Sequence, residues 1–215
     1  MRLLSVNVGR PRPVEWRGEV VPTGIFKQAV AGPCAVARTN LAGDGQADLE
    51  VHGGVDKAVY AYPSEHYPFW SAELDRPALP WGVFGENLTT EGLDEATVCV
   101  GDRYAIGTAE FEVSQPRLPC YKLGIRFERP DMVKRFLQSG RLGFYLRVRR
   151  EGTIEAGQPI QRLSRDPDAP TIADLALLET TGKEDRTLLE RAVRAAALSR
   201  GWRDRYQERL ATLGG

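Results

Sequence analysis

Cys120 lies in Gln115-Pro116-Arg117-Leu118-Pro119-Cys120-Tyr121-Lys122-Leu123, the stretch of this 215-residue chain best equipped for chemistry. Before it, Phe111-Glu112-Val113-Ser114-Gln115 alternates apolar and polar residues with the period of a strand. Two prolines stop that strand: Pro119 cannot donate to a ladder and pushes Leu118 out of helical space. Tyr121-Lys122-Leu123-Gly124-Ile125 can then open a helical turn. A thiol at such a break, between Arg117 and Lys122, lies in a positive field, and the N–H groups of a helix start add to it. That setting favours the thiolate, the form that attacks electrophiles or binds a soft metal. A lone cysteine is more commonly a small buried hydrophobe, so partners elsewhere in the chain must decide.

Candidate partners are spread widely. Lys27 sits between apolar residues near a turn; such a lysine is either solvated or points its ammonium into a pocket for an anion. In Val51-His52-Gly53-Gly54-Val55-Asp56-Lys57-Ala58-Val59-Tyr60, the two glycines let the backbone approach another group closely. His52, Asp56 and Lys57 stand at the mouth of an apolar strand, and Asp56 and Lys57 face opposite ways if extended. A structural hydrogen-bonding role is the alternative for each. Asn87, in Gly85-Glu86-Asn87-Leu88, can satisfy its own turn or present its amide to a ligand. Cys34 and Cys99 read as core residues of short strands, and His66 as part of the aromatic face of a short helix begun by Ser64. The two histidines lack ligand spacing and there is no Cys-x-x-Cys pair, so no zinc centre is expected.

Lys plus Arg and Asp plus Glu each number 29, which argues against a general nucleic-acid or membrane-surface binder. Hydrophobic residues make up 42% and charged residues 27%, ordinary for a soluble globular protein. No apolar run approaches the ~20 residues of a membrane span, and Met1 to Val8 is too short and strand-like for a signal peptide. Three widely spaced cysteines do not form a disulfide framework, so a reducing, cytoplasmic setting is expected. No Gly-x-Gly-x-x-Gly follows a strand, so neither a flavin nor an NAD site is expected in this chain.

The elements that must position these groups read as mainly β. Strands are expected around residues 3–8, 19–25, 34–37, 55–62, 96–100, 103–106, 109–115 and 143–148, with two further extended pieces after Gly152. Residues 10–17 read as a loop, and Asp131 to Gln138 as a helix. Many short strands with glycine turns predict a barrel or a sandwich. Arg165-Asp166-Pro167-Asp168-Ala169-Pro170 reads as a linker, followed by three amphipathic helices begun at Thr171, Asp185 and Gly201. The expected organisation is a β domain over 1–164, a linker over 165–170 and a helical appendage over 171–215. The last helix mixes Asp204 and Glu208 with its arginines, which suits packing on the barrel or a partner better than reading DNA.

The His52–Lys57 run, Gly85-Glu86-Asn87-Leu88 and the Cys120 stretch, in that order, resemble the MOSC domain, and within it the YiiM-like branch associated with resistance to 6-N-hydroxylaminopurine. The C-terminal helices resemble that branch too, so the likeness spans nearly the whole chain. It implies a MOSC-type β-barrel with a few short helices that binds the molybdenum cofactor, a pterin dithiolene with a phosphate tail. Cys120 would be the catalytic residue and the protein ligand to molybdenum; Lys27 and Asn87 fall near family positions that contact the cofactor. Arg117 and Lys122 suit the pterin or its phosphate on charge grounds. His52 would serve the catalytic side, and Lys57 the cofactor or substrate wall of the pocket. The implied activity is reduction of hydroxylaminopurine or amidoxime-like compounds to the amine or amidine, using two electrons and two protons and releasing water. The electrons would come from a separate reductase; no nucleic-acid or membrane partner is implied, and a homodimer is left open. A non-catalytic cofactor carrier, a persulfide carrier using Cys120 and, more remotely, a DNA-binding helical module remain as alternatives.

Overall fold

The computed structural model describes residues 1–47 and 53–213. Its centre is an eight-stranded sheet built from β1 (Arg2–Val8), β4 (Gln28–Ala29), β7 (Val59–Pro63), β8 (Leu88–Glu91), β9 (Arg103–Ile106), β10 (Ala109–Pro116), β11 (Phe144–Arg150) and β13 (Ile160–Ser164). The order is β13-β9-β10-β11-β7-β8-β1-β4, and β7–β8 is a parallel pair within an otherwise antiparallel arrangement among the described residues. A three-stranded sheet joins β5 (Cys34–Ala37), β6 (Asn40–Leu41) and β12 (Gly152–Ile154).

The expected closed barrel is corrected to a curled, mixed sheet. Its curl brings residues 157–160 back to β1, where Leu3 N donates to Gln158 O (3.0 Å), Gly157 N to Leu3 O (2.7 Å) and Ile160 N to Met1 O (3.0 Å). Only an isolated bridge, Arg2–Pro159, marks that junction. Pro159 has no N–H to extend a ladder there, and from Ile160 onward the chain pairs with β9 instead.

Two local expectations also change. Residues 12–16 form β2 (Arg12–Trp16), paired with β3 (Glu19–Thr23) in a ribbon rather than a loop. Arg17 and Gly18 both have positive φ (54° and 82°), as a two-residue hairpin loop of the primed type requires. Pro13 faces Pro22 in that ribbon, where open edges tolerate missing donors. Residues 96–100 form turns on Asp94 rather than a strand, with Thr97 N and Val98 N both donating to Asp94 O at 2.9 Å.

The helices are α1 (Tyr67–Glu73), α2 (Tyr121–Phe127), α3 (Met132–Ser139), α4 (Ile172–Glu179), α5 (Arg186–Arg194) and α6 (Arg200–Leu213). The α4 start is a capping box, with Thr171 Oγ1 accepting from Asp174 N and Asp174 Oδ2 from Thr171 N, both at 3.0 Å. Asp185 caps α5 by accepting from Leu188 N at 2.9 Å. Ser64, by contrast, opens a 3₁₀ turn (Ser64–His66) ahead of α1 without a side-chain cap bond. Leu175, Leu178, Leu189, Trp202 and Tyr206 join the same apolar core as Leu3, Val6 and Phe111 of the sheet. Three arginines of α6 bond to neighbouring segments: Arg205 and Arg209 pair with Glu179 at 2.5 and 3.2 Å, and Arg203 donates to the Ala196 and Leu198 carbonyls at 2.8 and 3.0 Å. No helix of the described residues is long and apolar enough to cross a membrane.

A second, aromatic core lies against the other side of β7, formed by Tyr60, Tyr62, Tyr67, Trp70, Phe84 and Phe136 among others. It is tied to the turn before β11 at Gly143. Gly143 N donates to Glu95 Oε1 (2.7 Å), Glu95 Oε2 lies 2.6 Å from His66 Nε2, and Gly143 O accepts from Arg117 N (3.2 Å). Gly143 has φ +63°, and an added Cβ would meet Ala61 O at 2.5 Å and Tyr60 Cε2 at 2.8 Å. Gly143→Ala should therefore destabilise the protein by at least about 2 kcal/mol, read as a lower urea midpoint. An unchanged midpoint would show that this turn relaxes freely.

Candidate functional site

The break after β10 gives Cys120 its place. β10 ends at Pro116, and Cys120 (φ −121°, ψ 170°) is the extended residue directly before α2. Its carbonyl accepts from Leu123 N at 2.9 Å, while its side chain makes no capping bond. The thiol is half-buried and not part of a disulfide. It borders a cleft of about 100 Å³ that is partly open to solvent.

The structure brings the sequence candidates together there. Lys27, Lys57, Asn87, Arg117 and Lys122 all line the same cleft as Cys120, though they span most of the chain. His52 lies outside the described residues. Asp56 and Lys57 occupy a 3₁₀ turn (Val55–Lys57), so the alternating faces expected of a strand do not apply to them. Asp56 is turned to Arg147 in an ion pair, and Arg147 Nη1 also donates to Ala197 O (2.6 Å), linking this turn to the segment between α5 and α6.

Arg117 is the unusual member. It is 5% exposed, and its guanidinium lies 5.3 Å from the Tyr60 ring centroid and 5.1 Å from that of Phe136. Its Nη1 is buried with no hydrogen-bond partner, and no carboxylate reaches ion-pair distance among the described residues. Burial works against its charge, while interactions with Tyr60, Tyr145 and Cys120 work for it and prevail. The guanidinium is therefore a buried cation that meets aromatic faces but no carboxylate among the described residues. Cation–π contacts of this kind stabilise by about 0.5–2 kcal/mol each, well short of the several kcal/mol it costs to bury an ion. Lys122, 9% exposed on α2, likewise has no carboxylate within ion-pair distance among the described residues.

Lys27 is held differently. Its Nζ pairs with Asp44 Oδ1 at 2.5 Å, and both side chains are almost fully buried. Burial pushes the Lys27 pKa down, against the pull of Asp44. Asp44 is the residue that sequence reasoning missed. Its carboxylate also accepts from Gly9 N and Asn87 Nδ2, both at 2.8 Å. Only its place between Gly43 and Gly45, in a turn-rich loop, hinted at a built position. Asn87 is spent on the chain as well: Nδ2 donates to Asp44 and to Asn7 O (3.2 Å), and Oδ1 accepts from Tyr60 N (3.0 Å). Both of its donor hydrogens are thus engaged in bracing β1, β7 and the Asp44 loop. Neighbouring Glu86 is a buried brace too, accepting from Gly82 N (2.7 Å), Phe84 N (3.1 Å), Thr89 Oγ1 (3.0 Å) and the Tyr67 hydroxyl, with burial pushing its pKa up.

Asp44→Ala should leave the Lys27 ammonium buried and unpaired, at a cost of about 3–5 kcal/mol. Adding Lys27→Met should recover part of that loss in urea unfolding. A single variant as stable as the parent would show that Lys27 escapes to water.

Among the described residues, four basic side chains and one carboxylate line the cleft, and Lys27 engages that carboxylate. The curled mixed sheet thus sets a thiol, at a strand-to-helix break, beside basic side chains in one cleft, where a thiolate is a soft ligand and the cations suit an anionic group. The chain belongs to the MOSC domain family, whose model matches residues 48–161, and its likeness is to the YiiM branch. MOSC domains are associated with molybdenum cofactor binding. The crystal structure of YiiM from Geobacillus stearothermophilus is 38% identical, with a TM-score of 0.82 over 97% of this chain and 98% of that one. The uncharacterized protein YflK of Bacillus subtilis is 42% identical over 207 residues, 96% of this chain and 93% of YflK. A Gibberella moniliformis protein named Reductase is 40% identical over 168 residues, which are 76% of this chain but 29% of that protein.

Proposed function

We propose that this chain is a molybdenum-cofactor-dependent reductase of N-hydroxylated compounds, 6-N-hydroxylaminopurine or amidoxime-like, with electrons delivered by a separate reductase. The observation that carries this reading is a buried Arg117, with no carboxylate at ion-pair distance among the described residues, in one cleft with Cys120. The donor set suits the cofactor's parts. A thiolate matches a soft metal, and a guanidinium fork matches a phosphate. When bound, the cofactor would supply the two-electron chemistry, and the protein would orient it and exclude competing reactions.

In this reading Cys120 ligates the metal, and Arg117 with Lys122 holds the phosphate tail. Lys27 reaches the cofactor from the Asp44–Asn87 brace, which fixes the wall opposite α2. Lys57 and His52 serve the substrate side. The fungal relative named Reductase is much longer than its matching region, which favours a MOSC unit that works beside further modules. A cytoplasmic setting and a division into a MOSC unit (1–164), a linker (165–170) and a helical unit (171–215) belong to the same proposal.

The test is turnover. Cofactor-loaded protein supplied with a chemical reductant should convert 6-N-hydroxylaminopurine to adenine, or benzamidoxime to benzamidine, at a rate proportional to its molybdenum content. Fully loaded protein that reduces neither compound would overturn the assignment.

A further inference from the structure

Beyond the cleft, three arginines from separate parts of the chain converge on its aromatic edge. The Arg12 guanidinium of β2 lies 4.2 Å from the Phe26 ring centroid, and that of Arg126 on α2 lies 5.2 Å from the same ring. Arg76, in the turn after α1, lies 5.9 Å over Phe127. The cluster adjoins the cleft on two sides: Phe26 precedes Lys27, and Lys122 is one helical turn before Arg126. A four-residue step places Arg126 about 6 Å further along the same helix face.

None of the three arginines reaches a carboxylate at ion-pair distance among the described residues, whereas Arg103, Arg135, Arg147 and Arg165 all do. The buried Nε of Arg126 has no hydrogen-bond partner. Glu86 is the carboxylate that acts on it, yet the Glu86 oxygens already accept from two backbone amides and two hydroxyls. Burial, Arg76 and Arg12 all work against the Arg126 charge. Like charges gathered in this way repel, and a bound anion relieves the repulsion. Guanidinium forks are matched in shape and charge to phosphate.

We propose that Arg12, Arg76 and Arg126 form a second anion subsite at the rim of the cleft, which takes a phosphate of a nucleotide-type ligand whose other end lies in the cleft. The subsite stands on its own geometry. Whether that phosphate belongs to a phosphorylated N-hydroxylated substrate or to a nucleotide extension of the cofactor rests on the reductase reading above.

Calorimetric titration of the purified full chain with AMP, ADP, pyrophosphate and adenosine tests it. The phosphate-bearing probes should bind, and adenosine at least tenfold more weakly. Arg126→Gln and Arg12→Gln, the latter at an exposed position, should each weaken AMP binding about tenfold or more, as expected for a lost charge-assisted hydrogen bond. A nucleoside monophosphate released by acid in proportion to pterin, and lost in both variants, assigns the subsite to the cofactor. AMP binding by loaded protein with no nucleotide in the acid extract assigns it to substrate. If none of the phosphate-bearing probes binds in a way that either variant weakens, and no nucleotide is released, the proposal is wrong. A parent that takes up neither molybdenum nor pterin in a cofactor-competent host, yet binds AMP through these arginines, would sink the reductase reading and leave the subsite standing.

Discussion

Cys120→Ala should strip molybdenum from protein produced in a cofactor-competent host while leaving the fold intact. The thiol is half-buried, sits in extended backbone ahead of α2 and makes no capping bond. Its truncation should therefore change stability by no more than about 1 kcal/mol. The functional loss should be far larger. Partners that merely orient a metal ligand are worth about 10–100-fold in affinity or activity, so loss of the ligand itself should exceed that range. Metal analysis, pterin fluorescence and thermal unfolding on the same preparations separate the two effects. Near-stoichiometric molybdenum in the variant would remove Cys120 from the ligand role. Metal absent from parent and variant alike, with pterin also absent, would favour a persulfide on Cys120, visible as a mass shift on that residue.

Arg117→Met carries the second large effect, and here the signs differ for the empty and loaded protein. The parent buries a guanidinium between Tyr60 and Phe136 with an unpartnered Nη1. Replacement of a buried charge by an apolar side chain of similar length is often neutral or stabilising by about 1–4 kcal/mol. Cofactor-free Arg117→Met should therefore melt at or above the parent's temperature. Retention of the pterin should fall about 10–100-fold, as expected when a hydrogen bond from a charged group worth about 1.5–3 kcal/mol is lost. Stability held back at a binding residue is a common sign of a site selected for its ligand. A variant that is both less stable and fully loaded would make Arg117 a packing residue.

The contrast with Asn87 and Asp44 sharpens that reading. Asn87 looked like a ligand contact in its Gly-Glu-Asn turn, yet its amide is taken up by Asp44, Asn7 and Tyr60. Lys27, read as either solvated or turned into a pocket for an anion, lines the cleft with its ammonium held by Asp44. Arg117 and Lys122, which flank Cys120 along the chain, have no carboxylate within ion-pair distance among the described residues.

What the sequence determined by itself is local. Period-two alternation ahead of Pro116 set the strand that ends at the site, and the proline-cysteine break set the start of α2. Thr171 and Asp185 capped two of the three C-terminal helices as their side chains predict. Each of these outcomes depends on dihedral preferences and bonds within a few residues. The tertiary structure decided the rest. Residues 12–16 became a strand because a two-residue turn folded them onto β3, and the sheet curled without closing because its last strand turned to β9. Lys27 meets Asp44 across 17 residues, and Asn87 meets Asn7 across 80. Local sequence fixes where a side chain starts, but not which distant group will neutralise it or leave it bare. The burial of Arg117 without an anion is a property of that second kind, since it exists only once β10, β7 and α3 have closed around the guanidinium.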